Sequence, residues 1–530
     1  MKNILTSILS ITAVSTLLFS GVNAEARNGK LQINLAGEDV KVSRIVVTDI
    51  TGKRISDEGN SVTATLPQET KLVKGVPVQV SVDAPKGTFS KGCTVKVFDA
   101  KGNAVAFCTV ADGSVKIKGG KTVSIKFDDI NGLAWEPAEV LARGYYKDML
   151  IDCGVTLTKR PNLPAADLLG WEYDIVSTQN DTIQNRIMVT SDIDINGCLL
   201  YPDNEPRYRM MYVHGGLAAA HGSSLTAVGR KHVGTFVDNG GSYVGSCAGA
   251  LLAGVGTYTK PVVVNYFRLF PAVTIFTNLK KAYTPLTIPD DSPLLKYYDF
   301  GGDHLVDSVR HNGGNYCSDS LMATVPGAEV LARFVAPGKP YDKQACIWAY
   351  KANEVKGRVV PCGSHPEAVE EGERLEMMAA MCQYAVDGNG IIQVKGELKN
   401  GEERVMDQLT SANKPENTGI GDRQYHHYKL VVPDGGARKV KISLKADSRY
   451  DLTLSLRKGD FAWRTDAPYV LAQKGANKTL TIDSLEAGEW YVSVYCATAG
   501  TTTFKKNVFN YNGDTSVLNG VPYILEASWK

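Results

Sequence analysis

The sequence predicts an α/β domain with a doubly wound, mostly parallel sheet, set between two β-sandwich domains. Three observations predict it. Between residues 135 and 392, near-continuous apolar runs such as RMMYVHGG, GSYVGSC and ACIWAYK alternate with stretches of helical spacing. Strands buried on both faces beneath helices read this way. Residues 27–127 and 395–530 instead carry short alternating apolar and polar runs, broken by Gly, Pro, Asp and Lys clusters, the period of antiparallel strands with one face in water. Finally, 530 residues exceed what one core accommodates, and the usual scaling gives about three domains.

The N-terminus sets the expected compartment. Lys2 precedes a mostly apolar stretch from Ile4 to Phe19, and Val22-Asn23-Ala24 offers small residues for cleavage. Residues 1–24 thus read as a signal peptide, shorter in its apolar part than a membrane span of about 20 residues. The expected location is secreted, periplasmic or at the cell surface, with no later stretch apolar enough to span a bilayer. The net charge of +2 and the lack of a dense Lys/Arg run argue against nucleic acid or a membrane surface as partner.

Ten cysteines in an exported chain raise the question of disulfides. Cys93 and Cys108 flank TVKVFDAKGNAVAF, a hairpin pattern turning at Asp99-Ala100-Lys101-Gly102. Counting outward from that turn places the two cysteines on opposed rungs, within reach of a disulfide. The others are scattered, with no CxxC or Cys/His spacing for zinc.

In the central region the expected strands include EVLARGYY, RMMYVHGG, GSYVGSC, EVLARFV and GRVVPCG. The expected helices lie in SSLTAVGRKHVGTFVDNG and in HPEAVEEGERLEMMAAMCQYAVDG, the latter acidic in its first turns. The run YKLVVP, KVKISL, DLTLSLRKGD and TIDSLEAGEWYVSV in the last region resembles the bacterial pre-peptidase C-terminal domain. That module is appended to many secreted hydrolases. His426 and His427 on its first strand read as surface and packing residues.

The chemistry concentrates at GGSYVGSCAGALLAG, residues 240–254. An apolar strand runs into Gly245-Ser246-Cys247-Ala248-Gly249 and then into a helix of small residues. A nucleophile on a sharp strand-to-helix turn has a strained backbone, and small residues two before and two after it relieve the crowding. The sulfur then sits at a helix N-terminus, which favours a thiolate. A buried structural cysteine in a Gly/Ala turn is the competing reading, and partners decide between them. Gly363-Ser364-His365-Pro366-Glu367 follows the strand GRVVPC, and so lies at the same carboxyl edge of the sheet. His365 can take the thiol proton while Glu367 orients the imidazole. Tyr212-Val213-His214-Gly215-Gly216 is a third strand end, with a glycine loop able to aim N–H groups at an oxyanion alongside that of Ala248.

These residues strongly resemble the class I glutamine amidotransferase-like superfamily. The nearest likeness is to the amidotransferase-like domain at the N-terminus of some biotin-protein ligases, over roughly residues 140–390. FVDNGGSYVGSCAGALLAG, YYDFGGDHL to NGGNYC, and VLARFV to GRVVPCGSHPE carry the likeness. The resemblance implies a flavodoxin-like sheet bearing a catalytic triad of Cys247 as nucleophile, His365 as base and Glu367 as its orienter. Gly216 and Ala248 would supply oxyanion N–H groups, with His214, Gly215 and Ser246 as candidate substrate contacts.

The chain departs from a working amidotransferase in several ways. It has no GxxxxGK[ST] phosphate loop, no ligase segment, and Leu217-Ala218-Ala219 where a Pro is common. The expected reaction is therefore hydrolysis of an amide or peptide bond through an acyl-thioenzyme, with water as acceptor and no metal or organic cofactor. The competing reading is a non-catalytic binding or surface-adhesion protein that keeps the fold. Loops 217–235, 255–320 and 335–345 are the expected pocket walls, with His221, His304 and His311 in or beside them.

Overall fold

The computed structural model describes residues 29–35, 41–49, 61–71, 78–84, 89, 92–98, 104–110, 116–118, 120–127, 136–137, 144–155, 161–177, 193–411, 415–464, 467–505 and 508–530. The expected signal peptide, residues 1–24, lies outside them.

The central region is an α/β structure around one nine-stranded mixed sheet. Its strands are β1 (Lys147–Asp152), β2 (Tyr173–Val176), β3 (Tyr208–Val213), β4 (Ser242–Ser246), β5 (Ala282–Thr287), β6 (Leu305–His311), β7 (Ala328–Phe334), β8 (Ala345–Tyr350) and β9 (Val359–Cys362). They lie in the order β2-β1-β3-β4-β9-β8-β7-β5-β6. The five strands from β2 to β9 pair in parallel, and the four beyond β9 pair antiparallel.

The expected mostly parallel sheet is thus corrected to one parallel in only half of its pairings. The physical reason is the connections: β7 to β8 and β8 to β9 are short loops, and a short loop can only return the chain antiparallel. The first expected strand, EVLARGYY, is corrected as well. The ladder begins at Lys147, after Tyr146, while residues 139–143 lie outside the described part.

Alternation along the parallel strands builds a core on each face. Met149, Ile151, Met210, Tyr212, Val244 and Val360 pack with α1 (Pro164–Leu168) and with the helix over Glu373–Val386. Leu150, Met211, Val213, Tyr243 and Val359 pack the other way. On that face lie α2 (Ala218–Ser224), α3 (Thr226–Asp238) and α4 (Ala248–Ala253). The helix at Glu373–Val386, α5, starts later than its acidic sequence predicts. The chain first passes as a loop over the carboxyl edge of the sheet, and Gly372 turns it into the helix at φ 77°.

N-terminal to this, Val78–Ala84, Gly29–Leu35 and Thr122–Phe127 form one sheet, with the last pair parallel rather than antiparallel. A second sheet is centred on Lys41–Asp49 and Cys93–Phe98. Leu31, Ile33, Val80 and Val82 share a core with Ile45, Val47, Val95 and Val97. The expected opposition of Cys93 and Cys108 is corrected by the register: Cys93 faces Val110, and Cys108 faces Val95. A register shift between Val97 and Phe98 contributes an extra residue to the partner strand, which a count from the turn does not anticipate. The Cys108 side chain is outside the described part.

The C-terminal region packs a five-stranded against a four-stranded sheet around Leu430, Leu454, Val492, Ile442 and Leu525. His426 and His427 are not surface residues: both are buried, and bond to Tyr523 (2.8 Å) and Ser493 (2.7 Å). Burial depresses their pKa values to about 4 and about 3, favouring the neutral form. Among the described residues, no helix is long and apolar enough to cross a membrane.

Buried charges join this region to the central sheet. The Arg207 guanidinium, just before β3, lies 2.7 Å from Asp422, with both side chains almost inaccessible to water. It also stacks 4.3 Å from the Tyr146 ring. Lys395 bonds Asp203 (2.6 Å) and Glu205 (3.0 Å), and Gln424 donates to Asp203 (2.7 Å). Removing one member strands the other as an uncompensated buried charge. Arg207→Ala should therefore lower unfolding stability by about 3–5 kcal/mol in denaturant titrations. A loss below about 1 kcal/mol, the level of an exposed pair, would show that this junction is solvated.

Candidate active site

The site is built where β3, β4 and β9 end side by side. β4 runs into Cys247, and α4 begins at the next residue. Cys247 has φ 50° and ψ −99°, a conformation costing a non-glycine residue about 1–3 kcal/mol. The surroundings hold it there: its N–H donates to the Cys362 carbonyl of β9 (2.8 Å), and its carbonyl accepts from Asn315 Nδ2 (3.0 Å).

The flanking glycines follow from packing. A Cβ on Gly245 would meet the Gly249 carbonyl oxygen at 2.7 Å, and one on Gly249 would meet the Val213 oxygen at 2.4 Å. Helix α4 is buried on every side between strands and loops, which is why it is made of small residues. Ala248 is its first residue, so its N–H has no acceptor within the helix.

His365 and Glu367 stand at the end of the neighbouring strand. His365 Nδ1 lies 2.8 Å from Glu367 Oε1. The backbone N–H of His365 donates to the Arg310 carbonyl (2.8 Å), which fixes the loop across the sheet edge. On its other side, the imidazole meets Cys247. An added Cβ on Gly215 would lie 2.3 Å from His365 Cε1 and 3.2 Å from Cys247 Cβ, so the two side chains converge there. Nε2 is buried and has no well-aligned hydrogen bond among the described residues, yet it is near enough for the thiol to influence its charge.

Electrostatics favours an imidazolium. Burial opposes charge on His365, but Cys247 and Glu367 outweigh it and push the pKa up to about 11. Burial likewise opposes ionisation of Glu367, and the hydrogen bond from His365 holds it below its ordinary value. The Cys247 thiol points toward the Asn312 carbonyl (3.7 Å).

A cavity of about 390 Å³ opens over the His365–Glu367 pair, walled by His214, Gly215, His365 and Glu367 together with Asn162, Arg310 and Asn312. Cys247 is buried behind this wall, against His365 and Gly215, and neither it nor Ala248 lines the cavity. Burial lowers the pKa of His214, and its Nε2 lies 3.2 Å from the Pro161 carbonyl. Gly215 touches the pair directly. Gly216 is exposed and is not part of the cavity wall.

Ser246, expected as a substrate contact, is wholly buried and bonded to the Tyr212 hydroxyl at 2.6 Å. Strand alternation points it into the core when Cys247 points out. The three loop histidines also lie off the cavity wall. His221 is buried 2.7 Å from Asp152, His311 is 2.7 Å from Thr284, and His304 is 3.0 Å from Asp290.

Loops 217–235 and 335–345 contribute nothing to the wall. Asn162, Arg310 and Asn312, which do, were not singled out from sequence. The one cue was HNGGN (His311–Asn315), where Gly313 and Gly314 at φ 102° and 33° turn the chain over the thiol.

No family model and no curated protein matches the chain. Among solved structures it is similar to a glutamine amidotransferase, at 15% identity and TM-score 0.28, over 42% of this chain and 90% of the other. It is also similar to the pre-peptidase C-terminal domain of collagenase from Bacillus anthracis, at 13% identity and TM-score 0.16, over 26% and 100%. A carbohydrate deacetylase matches at 11% identity and TM-score 0.29, over 51% and 36%. Likenesses this partial say nothing about activity.

Two outcomes are expected from the geometry. In an NMR pH titration His365 should stay protonated far above the usual 6.5, losing its proton only as pH approaches about 11. Cys247→Ala removes one of the raising interactions and should lower that midpoint; an unmoved midpoint would place the thiol out of reach. Gly215→Ala inserts a methyl where His365 lies. It should cut alkylation of Cys247 by about 10²-fold, the scale of a 1 Å misplacement, without comparable loss of stability.

Proposed function

We propose that this chain is an exported cysteine hydrolase of amide or peptide bonds, of the glutamine amidotransferase-like kind, with Cys247 as nucleophile. The observation that carries the reading is the convergence of a strained cysteine with an imidazole that is paired to a carboxylate and lines the cavity. A structural cysteine needs none of the three.

In the proposed reaction the sulfur of Cys247, its proton held by His365, attacks the substrate carbonyl. The N–H of Ala248 and the glycine loop after β3 receive the oxyanion. The imidazolium gives its proton to the leaving nitrogen, the C–N bond breaks, and an amine departs from a thioester on Cys247. Acylation removes the thiolate charge that helped keep His365 protonated, so the imidazole becomes a competent base. It then takes a proton from water as the hydroxyl adds to the thioester. Collapse expels the thiolate and releases the carboxylic acid. Glu367 fixes the Nδ1 tautomer throughout. Export follows from the reading of residues 1–24, and would put the substrate outside the cytoplasm, where water is the available acceptor.

Iodoacetamide labelling followed by peptide mapping tests this. Cys247, slightly exposed and set beside His365, should be alkylated well ahead of Cys153, Cys346, Cys362 and Cys382, which are more deeply buried. His365→Ala should remove the advantage. Against a panel of peptide, glutamine and cell-wall amides, Cys247→Ala should lower turnover by at least about 10²-fold. Equal labelling of all cysteines, with no change in His365→Ala, would favour a binding protein that keeps the fold.

A further inference from the structure

Arg310 stands apart from the other arginines of the sheet. Arg207, Arg209 and Arg333 each meet a carboxylate, at 2.7, 2.9 and 2.8 Å, and the Arg358 guanidinium lies 3.8 Å from the Tyr384 ring. Arg310 lines the cavity beside His365 and Glu367, and among the described residues its guanidinium makes no hydrogen bond or ion pair. Its place is fixed by backbone. Its carbonyl accepts from the His365 N–H at 2.8 Å, and the residue pairs with Tyr283 across the ladder. Two residues on, the Asn312 carbonyl faces the Cys247 thiol at 3.7 Å. One short segment therefore places Arg310, whose side chain is exposed at the cavity wall, beside the base, and the Asn312 carbonyl beside the thiol.

We infer that Arg310 is a specificity-determining residue that selects an amide substrate carrying a carboxylate near the scissile bond. The inference rests on the reading of Cys247 as the nucleophile. A guanidinium fork matches a carboxylate with two parallel N–H···O bonds. The cavity, about 390 Å³, falls in the range of small-molecule sites. Two further carboxylates shape the choice of anion. Glu367 is paired with His365, and Glu370 stands in the same wall. Together they disfavour a doubly charged phosphate more than a singly charged carboxylate. Neutral amides lack the group that would satisfy Arg310.

The test compares anionic with neutral alkylating reagents at Cys247 in the full chain. Iodoacetate is set against iodoacetamide, and N-iodoacetylglycine against its amide, each rate ratio divided by that of a free small thiol. In the native protein at least one normalised anion-to-neutral ratio should exceed one by about tenfold, the scale of a charge-assisted bond. Arg310→Gln should lower that ratio by a similar factor, and Arg310→Lys should retain part of it, separating charge from fold. Rapid alkylation by the neutral reagents with ratios near one in the native protein, or ratios unmoved by Arg310→Gln, would overturn the assignment of Arg310. Slow alkylation by every reagent would instead overturn the nucleophile reading, and this inference with it.

Discussion

The backbone of Cys247 is the constraint around which the site is organised. A residue at φ 50°, ψ −99° stays there only if its neighbours forbid relaxation. Here the N–H is tied to β9 and the carbonyl to Asn315. The turn can be this sharp only because Gly245, Gly249 and Gly363 leave no side chain in the way. A Cβ on Gly363 would lie 1.6 Å from the Asn315 oxygen. The same ties pull the 310–315 segment across the sheet edge. That segment in turn holds the His365 backbone through the Arg310 carbonyl. Strain at one residue and placement of the base are thus two results of one packing arrangement.

The opposite end of β3 shows how the rest of the chain supports this. Arg207 and Asp203 engage buried groups of the C-terminal region, while β3 runs from Tyr208 to Val213 and delivers His214 and Gly215 to the cavity. The hairpin over Gly500–Gly513 adds contacts at the sheet edge: Tyr146 donates to the Gly500 carbonyl at 3.1 Å, and Lys147 to Thr502 at 2.8 Å. Buried ion pairs of this kind give orientation more than net stability. The ion pairs at the amino end of β3 and the hydrogen bonds at that of β1 tie down two strands whose carboxyl ends carry the glycine loop and Asp152.

The parts legible in the sequence are those set by local chemistry. Gly245 and Gly249 around Cys247, the short step from His365 to Glu367, and the alternation feeding two faces of the sheet all show in one dimension. What was not legible depends on connections and on distant partners. The antiparallel half of the sheet follows mainly from the short loops that join β7 to β8 and β8 to β9, not from strand composition. The hairpin register at Cys93 moved by two residues, one because Phe98 faces Ala104 across a turn longer than the expected one and one because of the irregularity between Val97 and Phe98. Arg310 looks in sequence like any charged residue on an exposed strand, and only the return of the chain after β9 alongside β6 brings it beside His365. Ser246 shows the reverse error: adjacency to the nucleophile suggested contact, whereas strand alternation turns it into the core.

Trapping the acyl-thioenzyme tests the central claim most directly. The protein would be mixed with an amide that it hydrolyses, quenched in acid, and its intact mass and tryptic peptides measured. The account predicts an adduct equal to the acyl group, confined to the Cys247 peptide, released by hydroxylamine and absent in Cys247→Ala. Hydrolysis that proceeds without such an adduct, and persists in Cys247→Ala, would contradict it.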